Sequence, residues 1–277
     1  MSVIWKGLQV TFGLFLIAGL AFASSVFGVL LYAKITGNAW FEEPVAQAAA
    51  AVADANAADS AASGQQAAEQ ASEPEPPKSV LIEAPIVRQR PELPAGCEVT
   101  SLTMLLQFSG ISKTKLELAD EMKKDPTPIR YNKDGSIAYW GNPNTGFVGD
   151  VTRKSIGFGI YHTALFELLE QYIPAAVDLT RKPFEDIEEH LRKGVPVVVW
   201  TTIDFQVPSK WVTWDTPVGP IRTTFKEHAV LLVGYDEQHV YVNDPYSGKA
   251  NYKLNKEQFV QTWEAMGRQA ITYLPAS

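Results

Sequence analysis

Leu93-Pro94-Ala95-Gly96-Cys97-Glu98-Val99-Thr100-Ser101-Leu102 is the stretch whose reading decides the rest of the chain. Apolar residues at Val99, Leu102, Leu105 and Leu106 follow helical spacing, which predicts a helix over Gly96 to Phe108. Thr100 and Ser101 stand on its opening turn, and Pro94 and Gly96 punctuate the loop before it. Cys97 therefore falls at a helix start. There the backbone N–H groups lack intrahelical partners and the positive end of the helix dipole lies. A thiol in that position is expected to ionise below the ordinary ~8.5, and the same N–H groups suit a developing oxyanion. The plainer alternative is a buried cysteine packing the helix end as a small hydrophobe.

Cys97 is the single cysteine of the 277 residues, so no intrachain disulfide can form. One cysteine cannot build a zinc site either. The four histidines lack a spacing such as His-Glu-x-x-His, so neither a metal nor another cofactor is expected. A net charge of -7 argues against a nucleic-acid partner, whose phosphates need a basic face. With 46% apolar and 11% aromatic residues, the composition is that of a globular protein.

Downstream, Lys226-Glu227-His228 opens the apolar run Ala229 to Tyr235, which reads as a strand. A second strand, His239 to Asn243, follows the turn Asp236-Glu237-Gln238 and ends in Asp244-Pro245. Similar strand lengths on either side of the turn place His228 and Asp244 at the same end of the hairpin. A carboxylate there can hold an imidazole in one tautomer and orientation. Asp244 opening a proline turn is the structural alternative, and Asn243 is the alternative orienting group. His162 precedes a helix, His190 lies on a charged helix face and His239 sits in the turn, all less telling contexts. Gln89 lies upstream of the cysteine, where its amide can complete an oxyanion hole or serve as an ordinary loop residue. The order Gln, Cys, His, then Asp or Asn is the one papain-like enzymes use.

The rest of the body supplies helices over Lys115 to Lys124, Ala164 to Tyr172, Phe184 to Lys193 (closed by Gly194) and Leu254 to Trp263. It also supplies strands over Val195 to Trp200 and Gln269 to Tyr273. A leading helix followed by a strand-rich half is an α+β pattern. Thr202 to Thr224 reads as a long aromatic-rich loop or an exposed hairpin and Tyr131 to Phe147 as a second aromatic-rich loop, both serving either to bind substrate or to cover the body.

At the other end, residues 1–6 form a short tail and residues 7–33 carry no charge. That run is long enough to cross a bilayer as a helix, which needs ~20 residues, and predicts a signal anchor. Lys6 before it sets a cytoplasmic N-terminus and an external body. The rival reading is a cleaved signal peptide ending at Ala21-Phe22-Ala23, although the apolar run continues well past it. Residues 44–78, rich in Ala, Gln, Glu and Pro, read as a flexible linker, and 79–277 as the folded domain.

The Gly-Cys-Glu-Val-Thr-Ser-Leu segment, His228 to Tyr235 and Val242 to Pro245 together resemble peptidase family thirty-nine-like domains. These are papain-like relatives of the peptidases that cut bacteriocins after double-glycine leaders. Trp140 to Gly149 shares the likeness, which covers about Ala84 to Tyr273. The resemblance implies a papain-like fold, with the nucleophile's helix packed on an antiparallel sheet that carries the His and Asp. It implies Cys97 as nucleophile, His228 as base, Asp244 as orienting acid and Gln89 as oxyanion donor. No Walker loop occurs, so a transporter-coupled processing role is not expected. The expected activity is hydrolysis of peptide or amide bonds in a peptide or protein substrate, by a bacterial enzyme at the outer side of its membrane. A cell-wall peptide amidase or endopeptidase, a transamidase and a catalytically silent tethered binding module are the alternatives.

Overall fold

Strand β7 (Val197–Thr202) and strand β10 (Glu227–Tyr235) form the centre of the molecule, paired antiparallel with His228 opposite Thr201 and Leu231 opposite Val198. Both are buried almost throughout, as expected of strands covered on both faces. The computed structural model describes residues 77–275, which lie within one compact unit, Glu73–Ser277. The predicted membrane-spanning run 7–33 and almost all of the linker 44–78 fall outside the described residues. Among the described residues no helix is long and apolar enough to cross a membrane.

The chain enters through β1 (Val80–Leu81) and reaches helix α1 (Cys97–Phe108) and helix α2 (Lys115–Glu121). Four short strands follow: β2 (Lys124–Asp125), β3 (Arg130–Tyr131), β4 (Ile137–Tyr139) and β5 (Phe147–Val148). Next come α3 (His162–Tyr172), β6 (Ala176–Asp178) and α4 (Phe184–Arg192), then β7. The hairpin β8 (Val212–Trp214) and β9 (Ile221–Thr223) precedes β10. The chain closes with β11 (His239–Asp244), β12 (Lys249–Asn255), α5 (Lys256–Ala265) and β13 (Ala270–Tyr273). The main sheet runs β12-β11-β10-β7-β13-β6, with β1 added to the end of β10, and every pairing in it is antiparallel. This is the predicted α+β papain-like arrangement.

Helix α1 forms because Val99, Leu102, Leu105 and Leu106 all reach zero exposure against the sheet, chiefly against β10. Burying one leucine of this kind contributes about 1.5–3 kcal/mol. Polar residues on the same helix are also inside and are satisfied locally. Thr100 Oγ1 donates to Gly96 O (2.6 Å), Thr103 Oγ1 to Val99 O (2.8 Å) and Ser101 Oγ to Ala229 O across on β10 (3.1 Å). The last bond fixes the height of α1 along β10.

Several boundaries differ from the sequence reading. Helix α2 stops at Glu121, because Lys124–Asp125 are drawn into a parallel pair with Phe147–Val148. Strand β12 was not anticipated, since Lys249–Asn255 is polar and mostly exposed and carries little apolar alternation. The helix expected from Leu254 therefore begins at Lys256, capped by the Asn255 side chain, which accepts from Gln258 N. The histidine assigned to a charged face, His190, is buried, and its Nδ1 bonds Asp186 O at 2.9 Å. Several aromatics of the two segments are core, although Tyr131 is exposed and Tyr139 and Trp211 are half-buried. Trp140 and Trp214 are 3% and 2% exposed, and Trp214 Nε1 donates to Gly141 O.

Candidate active site

Cys97 is the first residue of α1. Gly96 before it provides no side-chain cap, so the opening N–H groups are left without a capping acceptor. The thiol is 7% exposed and lines a cavity of about 200 Å³. Gln89, His228, Glu227, Arg153, Phe158 and Tyr246 also line that cavity. The sequence-predicted Cys97, His228 and Gln89 thus meet at one place, with Asp244 immediately behind His228.

The register of the sheet explains how. Leu231 is opposite Asn243, so one further step sets Val230 opposite Asp244 and puts His228 diagonal to it. His228 Nε2 and Asp244 Oδ1 are 2.8 Å apart and both side chains are almost fully buried. This leaves Nδ1 as the imidazole's free nitrogen. Phe205 and Tyr246 approach the ring edge-on, with centroids at 6.3 and 6.2 Å, and restrict its rotation.

Asp244 also accepts Tyr246 N (2.9 Å) and Ser247 Oγ (2.5 Å). Burial raises its pKa, but the hydrogen bond and charge of His228, with Ser247 and Tyr246 N, outweigh that and hold it at about 2. The alternative orienting group, Asn243, is spent elsewhere. Its Nδ2 donates to Ala84 O and Pro85 O, each at 3.0 Å, and its Oδ1 accepts Asn251 N. Gln89 is tied to the same corner, its N donating to Pro245 O at 3.0 Å. Gln89 Nε2 donates to Pro94 O at 2.9 Å and makes only a long 3.4 Å contact with Leu93 O. One amide hydrogen is thus anchored and the other is weakly held beside the cavity.

The expected easy ionisation of Cys97 is corrected by the structure. Burial pushes the thiol well above its ordinary value, and the charges of Glu98 and Glu227 push it further, while Ala229 N–H opposes them. The thiol donates to Glu98 Oε2 at 3.3 Å. Glu98 is fully buried and its Oε1 accepts Ile160 N at 2.8 Å. A carboxyl oxygen of Glu98 and one of Glu227 lie within 4.8 Å of each other and of the thiol. Cys97, Glu98 and Glu227 also form the one group among the described residues whose donor atoms, all within 4.8 Å, could hold a metal ion. Within that group the thiol already donates to Glu98 Oε2, while Glu227 Oε1 has no partner.

The Peptidase_C39 like family matches residues 81–271, most of the chain. The protein belongs to that family. The uncharacterized protein YvpB of Bacillus subtilis (strain 168) is 41% identical over 182 residues, which cover 65% of this chain and 70% of YvpB. The crystal structure of a Bacillus anthracis chain described as a C39-like peptidase is 42% identical. It superposes with a TM-score of 0.65, over 73% of this chain and 100% of that one. Cysteine peptidase-type hydrolysis is therefore the chemistry this C39-like fold carries.

The sequence reading of this C39-like chain passed over Glu98 and Glu227. Their signal was present. One acid directly follows Cys97, the other directly precedes His228, and each adjoins a long apolar run in which a carboxylate is out of place.

Proposed function

We propose that this protein hydrolyses peptide bonds through Cys97, His228 and Asp244, with its catalytic unit held outside the membrane by residues 7–33. The observation that carries the reading is the buried His228–Asp244 pair, which directs the free imidazole nitrogen toward a cavity that Cys97 lines from a helix start. His228 takes the thiol proton and the thiolate attacks the substrate carbonyl carbon. The resulting oxyanion is received by the Cys97 N–H and the weakly held hydrogen of Gln89 Nε2. His228 returns the proton to the leaving amine. Water then attacks the thioester, passes a proton to His228 and releases the acid. Asp244 keeps Nε2 protonated and stabilises the imidazolium.

The cavity rim supports a peptide substrate with an apolar side chain near the scissile bond. Ile203, Phe225 and Tyr246 are partly exposed there, and Arg90 stacks over Tyr246 at 4.6 Å. The membrane placement is supported by the uncharged run and by the polar, Pro-ending segment after it.

The test is alkylation of the full chain by an iodoacetamide-type or epoxide probe, with the adduct located by mass spectrometry in wild type and His228→Ala. Labelling of Cys97 that falls by about a hundredfold in the variant supports the reading, because general-base activation is worth ~10²–10⁴. Equal labelling in both refutes it. Protease accessibility of the unit in intact cells decides the placement, and full protection would sink it.

A further inference from the structure

Two carboxyls beside a nucleophilic thiol, Glu98 buried and Glu227 half-buried at the cavity, have no part in the mechanism above. Glu98 Oε2 accepts the thiol hydrogen at 3.3 Å, so the resting proton points to Glu98 rather than to the imidazole. Glu98 Oε1 is pinned by Ile160 N–H, and a carboxyl oxygen of Glu227, at the start of β10, lies within 4.8 Å of the Glu98 carboxyl. Glu227 Oε1 is enclosed and has no partner. The site makes room for the pair at Gly159, where a Cβ would stand 2.2 Å from Glu98 Oε1 and 2.9 Å from Glu227 Oε2. Two carboxylates this close, one of them fully buried, disfavour ionising together, so they share a proton and titrate as a unit.

We propose that Glu98 and Glu227 are a proton-sharing pair that gates Cys97, silencing the thiol while Glu98 is a carboxylate and releasing it when both carboxyls are protonated. The proposal rests on Cys97 being the nucleophile. A carboxylate at hydrogen-bond distance from the sulfur repels a thiolate and prefers the thiol, which donates to it. A neutral carboxylic acid in the same place reverses both effects, because it can donate to the thiolate and adds no charge. The thiolate–imidazolium pair with His228 then forms without a facing negative charge.

Burial raises Glu98 to about 7, against the lowering effect of its own N–H, Ile160 N–H, the Cys97 thiol and Glu227. Glu227 is raised too, first by burial and then by Glu98, while Arg153 at the cavity opposes. The remaining groups around the pair are Tyr161, His228 and Asp244. Tyr161 is a buried phenol pushed upward by burial and by the two acids, and it stays neutral. Asp244 stays ionised behind His228. A limb of the alkylation profile that vanishes in Glu98→Gln and persists in His228→Ala belongs to the pair.

The sign follows. As pH rises through about 7 the pair loses a proton, the thiolate is disfavoured and alkylation slows, whereas an isolated cysteine speeds up. One pH unit above that midpoint leaves about one pair in ten fully protonated. The experiment is alkylation of Cys97 in the full chain between about pH 5 and 9. Wild type, Glu98→Gln, Glu227→Gln and His228→Ala are compared.

At about pH 8, Glu98→Gln is expected to label about tenfold faster than wild type. At about pH 5.5 it should match wild type within about twofold, since the glutamine then replaces a neutral acid, and this match shows that the variant is folded. Glu227→Gln keeps a donor to Glu98 and removes the shared proton, so its falling limb moves to lower pH. Labelling that depends on His228 yet is no faster in Glu98→Gln at about pH 8 would overturn the gate alone. No labelling of wild-type Cys97 at any pH would overturn the nucleophile assignment, and the gate with it.

Discussion

Replacing Asp244 with Asn tests whether the carboxylate behind His228 is held ionised by the fold. Asp244 is 3% exposed, and its pKa falls from the ordinary 3.8 to about 2. At about 1.36 kcal/mol per pH unit, that difference is worth about 2.5 kcal/mol of folding stability. The pKa is depressed in the folded state, so the contribution is complete above the unfolded value of ~3.9 and is lost as pH falls toward about 2. Asn cannot titrate. Wild type should therefore lose about 2 kcal/mol more than Asp244→Asn between about pH 6 and pH 2, where half of the folded-state carboxyl is protonated. Urea unfolding at a series of pH values, followed by the fluorescence of buried Trp200, Trp214 and Trp263, gives both curves. Parallel curves across that range would refute the reasoning, because they would mean that the carboxylate gains nothing from His228, Ser247 and Tyr246. The same variant should be slow in catalysis at neutral pH, since Asn no longer fixes the imidazole tautomer.

Two further outcomes follow from the geometry. Gln89→Ala should lower kcat by about 10²–10³ with little change in KM, the signature of a lost oxyanion donor. A change confined to KM would assign Gln89 to substrate binding instead. Gly159→Ala should destabilise the protein by about 1–3 kcal/mol, because its Cβ would meet Glu98 Oε1 at 2.2 Å and Glu227 Oε2 at 2.9 Å, and the Glu98 carboxyl can yield only by giving up its bond from Ile160 N. A melting temperature equal to wild type would show that the carboxyl pair can relocate.

The parts of the fold legible in the sequence were those with a dominant apolar period. Helix α1 and strands β7 and β10 are the most buried elements of the molecule, and their apolar runs stood out. Strand β12 was invisible because it is paired on one side only and mostly exposed, so nothing in Lys249–Asn255 had to be apolar. The aromatics Trp214 on β8 and Trp140 between β4 and β5 misled for the opposite reason. Proline and glycine around them signalled a loop or an exposed hairpin, while Trp140 and Phe158 pack on Trp214 with centroids 5.7 and 5.3 Å away and form core. At the site, the positions of Cys97, His228 and Asp244 could be read because each ends a regular element. The thiol's resting state could not. A helix start lowers a thiol pKa by its dipole, and the neighbouring Glu98 raises it, both local properties, whereas the Glu227 charge arrives from a sequence position more than a hundred residues away and burial, the largest cause, is set by the whole fold.

Glu98 and Glu227 connect the packing of this fold to its chemistry. Ser101 Oγ bonds Ala229 O, one turn into α1 and one residue past His228, so the helix start and the strand start are locked at a single height. The lock buries Cys97, and burial alone favours the neutral, unreactive thiol. A wetter site would ionise more readily but would lose the field that the His228–Asp244 pair exerts in a dry environment. Placing a protonatable pair against the sulfur resolves the conflict, because a bound proton cancels the opposing charge without admitting water. Glu227 and His228 are neighbours in sequence, so any shift of β10 that withdraws the base also withdraws half of the pair. Base and gate therefore move together, and a variant that loosens β10 should lose reactivity and pH inflection in parallel.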